Sequence, residues 1–329
     1  MQGRLTAADG STVDATLEMV RARLSAKDFF WLDLVGLDAE STDLLLHDFD
    51  FHPLAVEDAE QAEQRPKVDD YDSFTYLVVH GAGAGAGEEA TVVVHIFFSD
   101  DHVVTVHRGG GGLLDGVRQR LTRRPGTAAG ASPAVTTLYL VVDVLVDSFF
   151  PVLADLDDRI DELEDEILKQ PTEAQLGELF DMKRTLVALR KVVTPERDMF
   201  ARLLTGVSVL DGVTLEAERY FRDLYDHLIR ISDLVDSYRD LLTGAMDTHL
   251  STVSNRLNSV MKQLTIIATI FLPLSFLTGF FGQNFAVLTG HALVPAWSFW
   301  VFGVGLELAA VAGLLYLFRQ RGWLGGPTE

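Results

Sequence analysis

Hydrophobic and polar positions follow three successive patterns along the chain. Over residues 28–108, apolar positions fall in short β-branched and aromatic runs at 29–35, 74–80, 91–98 and 103–106. Alternation over runs of this length predicts strands. Helical segments at roughly 40–49 and 53–61 lie between the first two. The Gly/Ala run 81–87 predicts a flexible hairpin loop or spacer. The glycines at 109–112 read as a joint; no Lys-Ser/Thr follows them, so they do not make a phosphate loop. After Ser132 the period becomes helical. Residues 133–170 form a helical stretch with a strongly acidic face, and Pro151 marks a place for a kink or break. Thr172 is placed to cap a next helix, 173 to about 204, and the segment 206–212 breaks it. From about 214 to 281 the only proline is Pro273 and the only interior glycines are Gly244 and Gly279. That predicts a helix on the order of 100 Å long, too long for a globular core and suited to a stalk that enters a membrane.

The third pattern is an apolar stretch with no charged residue from Gln263 to Leu306. Its first part reaches Gly282-Gln283-Asn284 after about 20 residues, the span of a hydrocarbon core. A short loop, 285–296, leads to a second apolar run, 297–318, followed by Arg319 and Arg321. Trp297, Trp300, Tyr316 and Trp323 sit where interfacial aromatic belts form. Lys262 and the two arginines flank the spans on one side, and the loop between the spans has neither Lys nor Arg. The positive-inside rule therefore puts both termini in the cytoplasm, giving a multi-pass protein of the inner (plasma) membrane. Residues 1–20 show no apolar signal-peptide core. The expected division is an α/β domain (1–131), a helical hairpin (132–212), a stalk helix (213–262), a first span (263–284), an outer loop (285–296), a second span (297–318) and a tail (319–329).

Charge separates the same two regions. Only two of 27 basic and two of 48 acidic side chains follow Lys262, so residues 1–262 carry the entire net charge of −21. An acidic body argues against nucleic acid as a partner and favours one that meets cations, although acidity also serves solubility. The chain has no cysteine, which excludes disulfides and thiolate metal sites. No nucleophile–base constellation points to an enzyme, and nothing points to an organic cofactor. The histidines His80, His95, His102 and His107 near the strands read as structural.

The amide pair Gln283-Asn284 lies at the far end of the first span. Repeated around an axis by several subunits, it would form an uncharged, oxygen-rich ring, which is what an ion filter needs. Mg²⁺ sheds water reluctantly and takes oxygen ligands; a ring of neutral oxygens from Asn284 side chains and Gly282 carbonyls would hydrogen-bond its bound waters. Gly and Asn also cap helices. Below them Met261, Leu264, Ala268, Leu272, Ser275 and Gly279 share one helical face, with the bulkier Ile266, Ile270, Pro273 and Leu277 opposite. The small stripe suits a narrow pore gated by Met261, Leu264 and Leu272, and it equally suits helix packing. Asn258 adds a polar ring at the cytoplasmic end. Glu307 lies within the second span, where an ionisable side chain is a functional candidate by default; it is expected to face the first span and hydrogen-bond to it.

The segments Tyr220-Phe221-Arg222-Asp223-Leu224-Tyr225-Asp226-His227, Ser251-Thr252-Val253-Ser254-Asn255-Arg256-Leu257-Asn258-Ser259-Val260-Met261-Lys262, and Leu264-Thr265-Ile266-Ile267-Ala268-Thr269-Ile270-Phe271-Leu272-Pro273-Leu274 together resemble the CorA family of magnesium channels. His52-Pro53-Leu54, Glu57-Asp58 and Gln64-Arg65-Pro66-Lys67 resemble its cytoplasmic domain. The resemblance implies an α+β cytoplasmic αβα domain, a long stalk helix continuing into the first of two transmembrane helices, and a homopentamer in a lipid bilayer. It implies passive, voltage-driven uptake of hydrated Mg²⁺, with Co²⁺ or Ni²⁺ as further cargo, through a filter at Gly282, Gln283 and Asn284. It also implies that Asp223 binds regulatory Mg²⁺ between neighbouring subunits and holds the channel closed, with Glu88 and Glu89 as the approximate partners; His227, in the same motif, is a weaker candidate ligand for a softer metal. The chain departs from the family pattern in three ways. Gln283 replaces the usual Met and Phe281 the usual Tyr, the outer loop lacks acidic residues, and Glu307 has no counterpart. The alternatives are a proton-coupled zinc transporter of the ZntB type and a metal sensor that does not conduct.

Overall fold

The alternating runs form one seven-stranded sheet in a computed structural model that describes residues 1–61, 64–85, 87–109, 111–123, 132–206, 215–283, 290, 297 and 299–323. The strands are β1 (Gly3–Ala7), β2 (Thr12–Asp14), β3 (Phe30–Val35), β4 (Lys67–Tyr71), β5 (Phe74–Ala82), β6 (Thr91–Phe98) and β7 (His102–His107), in the order β2-β1-β3-β7-β6-β5-β4. Among the described residues only β3 and β7 pair in parallel, with Phe30 opposite His102 and Val35 opposite His107. These two central strands are buried almost throughout, and the polar side chains they carry, Asp33, His102, Thr105 and His107, are buried with them. The described residues form two compact units, Met1–Thr248 and His249–Glu329.

In the first unit the period of two sends side chains to two cores. Phe30, Leu32, Leu34, Tyr76, Val78, Phe97 and Val104 face one core with Val20 of α1 (Leu17–Ala26), Leu44, Leu45, and Ala55 and Val56 of α3 (Pro53–Glu60). Ala39–Asp43 forms α2, and a π-turn follows it at Leu44–Asp48. Trp31, Leu77, Val79, Val94, Ile96 and Val103 face the other core. There they meet α4 (Gly111–Arg123), α5 (Pro133–Asp147), α6 (Phe149–Lys169), α7 (Glu173–Leu204) and the start of α8 (Leu215–Phe281), through residues such as Leu138, Leu163, Leu189, Leu224 and Ile231. The arrangement is an αβα layering.

Several helix ends follow from local chemistry. Thr172 and Gln175 make a reciprocal capping box that starts α7. The helical stretch 133–170 breaks at Ser148, so Pro151 falls in the first turn of α6, where its missing N–H has no partner to lose. Of the glycine run, 81–85 and 87 are built into the β5–β6 hairpin. Gly83 donates its N–H to Ala90 O (2.8 Å), and a Cβ there would sit 2.2 Å from Glu89 O. A turn of 3₁₀ helix, Gly87–Ala90, carries Glu88 and Glu89. Of the joint at 109–112, Gly111 and Gly112 already belong to α4.

Buried polar groups pin the sheet. Thr105 Oγ1 donates to Asp33 Oδ1 (2.7 Å) and receives Trp31 Nε1–H (3.0 Å). Arg118 pairs with Asp33 and lies 5.0 Å over the Trp31 ring. Burial alone would raise the Asp33 carboxyl, but His107, Thr105 and Arg118 outweigh it and hold it below the usual range.

All four histidines expected to be structural are buried. Burial holds both His80 and His95 down at about 4. Their neutral forms are thus favoured by the fold, and that stability is complete above the unfolded value near 6.5 and is lost as pH falls towards 4. Thermal melts of the full chain followed by circular dichroism should show a midpoint that drops across this window. His80→Gln should flatten the drop, and an equal slope in wild type and variant would exclude His80 as a contributor.

The second unit holds the end of α8, a π-helical stretch Phe299–Gly305 and α9 (Leu306–Gln320). Lys262 Nζ donates to Gly322 O (3.3 Å), and Phe318 stacks on Trp323 at 5.6 Å. Thr265, Thr269 and Thr278 return their hydroxyls to the carbonyls four residues back at 2.7, 2.7 and 2.8 Å. This satisfies polar side chains without water. Among the described residues, three helices are long and apolar enough to cross a membrane: Pro133–Lys169, Ala217–Phe281 and Trp300–Gln320. The apolar window of the first is half buried in the αβα core, whereas those of the other two are 0% and 6% buried. Burial therefore separates a core helix pair from two candidate spans.

Candidate ion path and metal cluster

The first span presents two different faces. Asn258, Met261, Leu264, Ala268, Leu272, Ser275 and Gly279 are all exposed in the single chain, with Leu272 73% exposed. The opposite, bulkier positions Ile266, Ile270, Pro273 and Leu277 are half-buried. An apolar stripe this bare in one chain needs a covering, by lipid or by further copies. At its upper end α8 stops at Phe281. Gly282 donates its N–H to Thr278 O (2.9 Å) and Gln283 donates to Phe280 O (3.3 Å). Asn284 lies outside the described residues, as do 285–289 and 291–296 of the outer loop. Glu307 meets the first span as the sequence suggests: Thr278 Oγ1 donates to its Oε1 at 2.7 Å.

In the other unit, Asp223 lies among acidic neighbours. Helix α8 puts His227 one turn after it, with Nε2 3.9 Å from Asp223 Oδ2. Helix α5 contributes Asp143 and Asp147, also one turn apart. Asp147 Oδ1 is 3.2 Å from His227 Nδ1. Ligand atoms of Asp143, Asp147 and His227 all lie within 4.8 Å of one another, a separation that one metal ion can bridge. Burial and the Asp143 charge raise the Asp147 carboxyl above its ordinary value, with His227 and Arg120 opposing them. Desolvation and the Asp143 charge likewise raise the Tyr139 phenol.

These donors fit a divalent cation unequally. Asp143 is already engaged, by Arg120 on one oxygen and by the Tyr139 hydroxyl (3.2 Å) on the other. Asp147 and Asp223 keep most of their ligand capacity. Two or three carboxylates suit Mg²⁺, while the imidazole adds a donor suited to Co²⁺, Ni²⁺ or Zn²⁺. Sequence reading singled out Asp223 and missed Asp143 and Asp147. The available signal was their spacing of four on a buried helix, but nothing local says that α8 packs against that turn.

Glu88 and Glu89 stand elsewhere in the unit. Their 3₁₀ turn packs on α7, where Gly87 N–H donates to Thr185 Oγ1 (3.2 Å). Glu89 is exposed and lines a cavity of about 470 Å³ with Gln61, His95, His107 and Arg108. Among the described residues, no metal-ligand group within one chain joins Glu89 to Asp223.

Comparison with known proteins agrees with this architecture. The family model described as CorA-like Mg²⁺ transporter protein matches residues 26–320. A cobalt/magnesium transport protein CorA of Thermotoga maritima is 35% identical over 299 residues, covering 89% of this chain and 83% of its own length. A zinc transport protein ZntB of Yersinia enterocolitica is 26% identical, covering 83% of this chain and 81% of its own. The structure of the CorA magnesium transporter of Methanocaldococcus jannaschii superposes with a TM-score of 0.82 at 22% identity, over 98% of this chain and 99% of that one. With an αβα unit, a 67-residue helix that leads into Gly282-Gln283, and a family-model match running from Ala26 to Gln320, the chain belongs to the CorA family.

Proposed function

We propose that the chain is a divalent-cation channel that takes up hydrated Mg²⁺, and Co²⁺ or Ni²⁺, passively and driven by membrane voltage, as a homopentamer of the inner membrane with both termini in the cytoplasm. The observation that carries this reading is the exposed stripe from Asn258 to Gly279, opposite a half-buried face and leading to Gly282 and Gln283. Copies packed around that stripe would enclose a narrow path, with Met261, Leu264 and Leu272 as apolar constrictions that close by dewetting. Gly282 carbonyls, Gln283 and Asn284 would contact the ion's bound water rather than replace it.

Regulation rests on the acidic cluster. Mg²⁺ held by Asp223 against a neighbouring subunit, with Glu88 or Glu89 as partner, offsets repulsion and favours the closed ring. His227 lies 3.9 Å from Asp223 and 3.2 Å from Asp147, so both are further donors for the same ion. A shift between open and closed rings requires differential affinity for the metal, and five such sites multiply a modest difference per site.

The test is current through the full-length protein in a planar bilayer with Mg²⁺ as the only permeant cation. A Mg²⁺ current whose reversal follows the Mg²⁺ gradient supports the channel. A folded protein that binds Mg²⁺ but passes no current supports the sensor reading instead.

A further inference from the structure

Glu307 is the only Asp, Glu, Lys or Arg between Lys262 and Arg319. A lone ionisable side chain at membrane depth persists only where a partner or a function holds it. Its partner here is Thr278, whose Oγ1 donates to Glu307 Oε1 at 2.7 Å. That hydroxyl has a local acceptor as well, Leu274 O at 2.8 Å. A hydroxyl carries one hydrogen, so the two acceptors share it, and the bond to Glu307 is a contact between the helices that Thr278 does not need for its own satisfaction.

Three further features give the bond a direction. First, Thr278 is the residue whose carbonyl accepts the Gly282 N–H at 2.9 Å, so the same residue holds the last turn before the Gly-Gln-Asn segment. Second, Thr278 precedes Gly279 by one residue, about 100° around the helix. It therefore sits on the flank of the exposed stripe rather than in it, and a pull on it sets the helix's rotation without occupying the path. Third, Glu307 stands at the start of α9, directly after the π-helical stretch Phe299–Gly305. An i→i+5 turn holds one residue more than an α turn. Every side chain after it, Glu307 among the first, is rotated by about 100° relative to an uninterrupted α-helix.

We propose that Glu307 is a positioning residue for ion selection: from the second span it holds Thr278, and through the Thr278 carbonyl it fixes the rotation and height of Gly282 in the filter. Gln in place of Glu keeps an oxygen that accepts the Thr278 hydroxyl; Leu does not. The inference rests on the reading of residues 282–284 as the filter.

The experiment uses the full-length protein reconstituted in vesicles, with Mg²⁺ uptake measured against Mg²⁺ concentration for wild type, Thr278→Val, Glu307→Leu, the double variant and Glu307→Gln. Oligomeric state is checked for each by size-exclusion chromatography with light scattering. The bond acts on the filter only indirectly, through the Thr278 carbonyl, so half-saturating Mg²⁺ should rise roughly fivefold for Thr278→Val and for Glu307→Leu, far less than for loss of a filter amide from every subunit. The double variant should rise by about the same factor rather than by the product, because the two share one bond. Glu307→Gln should stay within about twofold of wild type. The proposal is overturned if the two single effects multiply, if Glu307→Gln behaves as Glu307→Leu, or if only the maximal rate falls while half-saturation holds. If wild type passes no Mg²⁺, the channel reading fails, and the positioning role is read from amide hydrogen exchange of the peptide spanning 279–283. Faster exchange in Thr278→Val and Glu307→Leu but not in Glu307→Gln then supports the role, and equal exchange in all four overturns it.

Discussion

Asn284→Ala should abolish Mg²⁺ uptake while leaving the oligomer assembled. The substitution removes one amide from each subunit of the ring that is proposed to hold the ion's bound waters. If each amide contributes a net hydrogen bond of about 1 kcal/mol, five lost together amount to about 5 kcal/mol, more than a thousandfold in occupancy of the site. Uptake by reconstituted vesicles, compared with wild type at equal protein, measures it. Uptake at near wild-type rate would remove Asn284 from the filter. Gln283→Met restores the residue usual in the family and should have a far smaller effect, since it changes the polarity of the ring without removing the Asn284 amide.

Asp223→Ala should weaken closure by cytoplasmic Mg²⁺, and Asp223→Lys should weaken it further. Asp223 stands 3.9 Å from His227, which in turn lies 3.2 Å from Asp147. Removing one carboxylate from a site with few freely available donors should move the inhibition midpoint upward by about tenfold or more, roughly 1.4 kcal/mol per site. Lysine adds a competing cation at the same place. Current against internal Mg²⁺ gives the midpoint. An unchanged midpoint in both variants would exclude Asp223 from regulation, and an effect of Asp147→Asn equal to that of Asp223→Ala would place both carboxylates on one ion. Glu88→Gln and Glu89→Gln should act in the same direction but less strongly.

The elements that were legible in the sequence are those whose pattern is long or undiluted. β6 appears at Thr91–Phe98 as its alternation indicates, and α7 begins after the Thr172 cap and ends at Leu204. Helix α8 starts at Leu215 and runs unbroken past Pro273 to Phe281, so the proline's one missing N–H does not break it. Elements with weak local signals were not legible. β4 is Lys-Val-Asp-Asp-Tyr, a mostly polar, half-buried edge strand whose identity comes from pairing with β5. β1 and β2 form a short antiparallel pair at the other edge. Helix α4 was hidden by its glycines, although Leu114, Val117 and Leu121 fall at helical spacing and are buried.

The sites divide in the same way. The Gly-Gln-Asn segment and the small stripe are contiguous or periodic, so a linear reading finds them. Asp143 and Asp147 join His227 only because α5 and α8 pack in the same layer, a relation between residues 80 apart that no local pattern carries. Glu307 was visible as a misplaced charge, and the structure supplies its partner, Thr278.

The most direct measurement sets the two transport readings against each other in one preparation. Full-length protein in sealed vesicles is given either an inside-negative potential without a pH gradient or a pH gradient without a potential, and uptake of Mg²⁺ and of Zn²⁺ is followed in each. The account predicts Mg²⁺ uptake that follows the potential and ignores the pH gradient, in wild type and in Glu307→Gln alike. Zn²⁺ uptake that requires the pH gradient in wild type and loses that requirement in Glu307→Gln would contradict it.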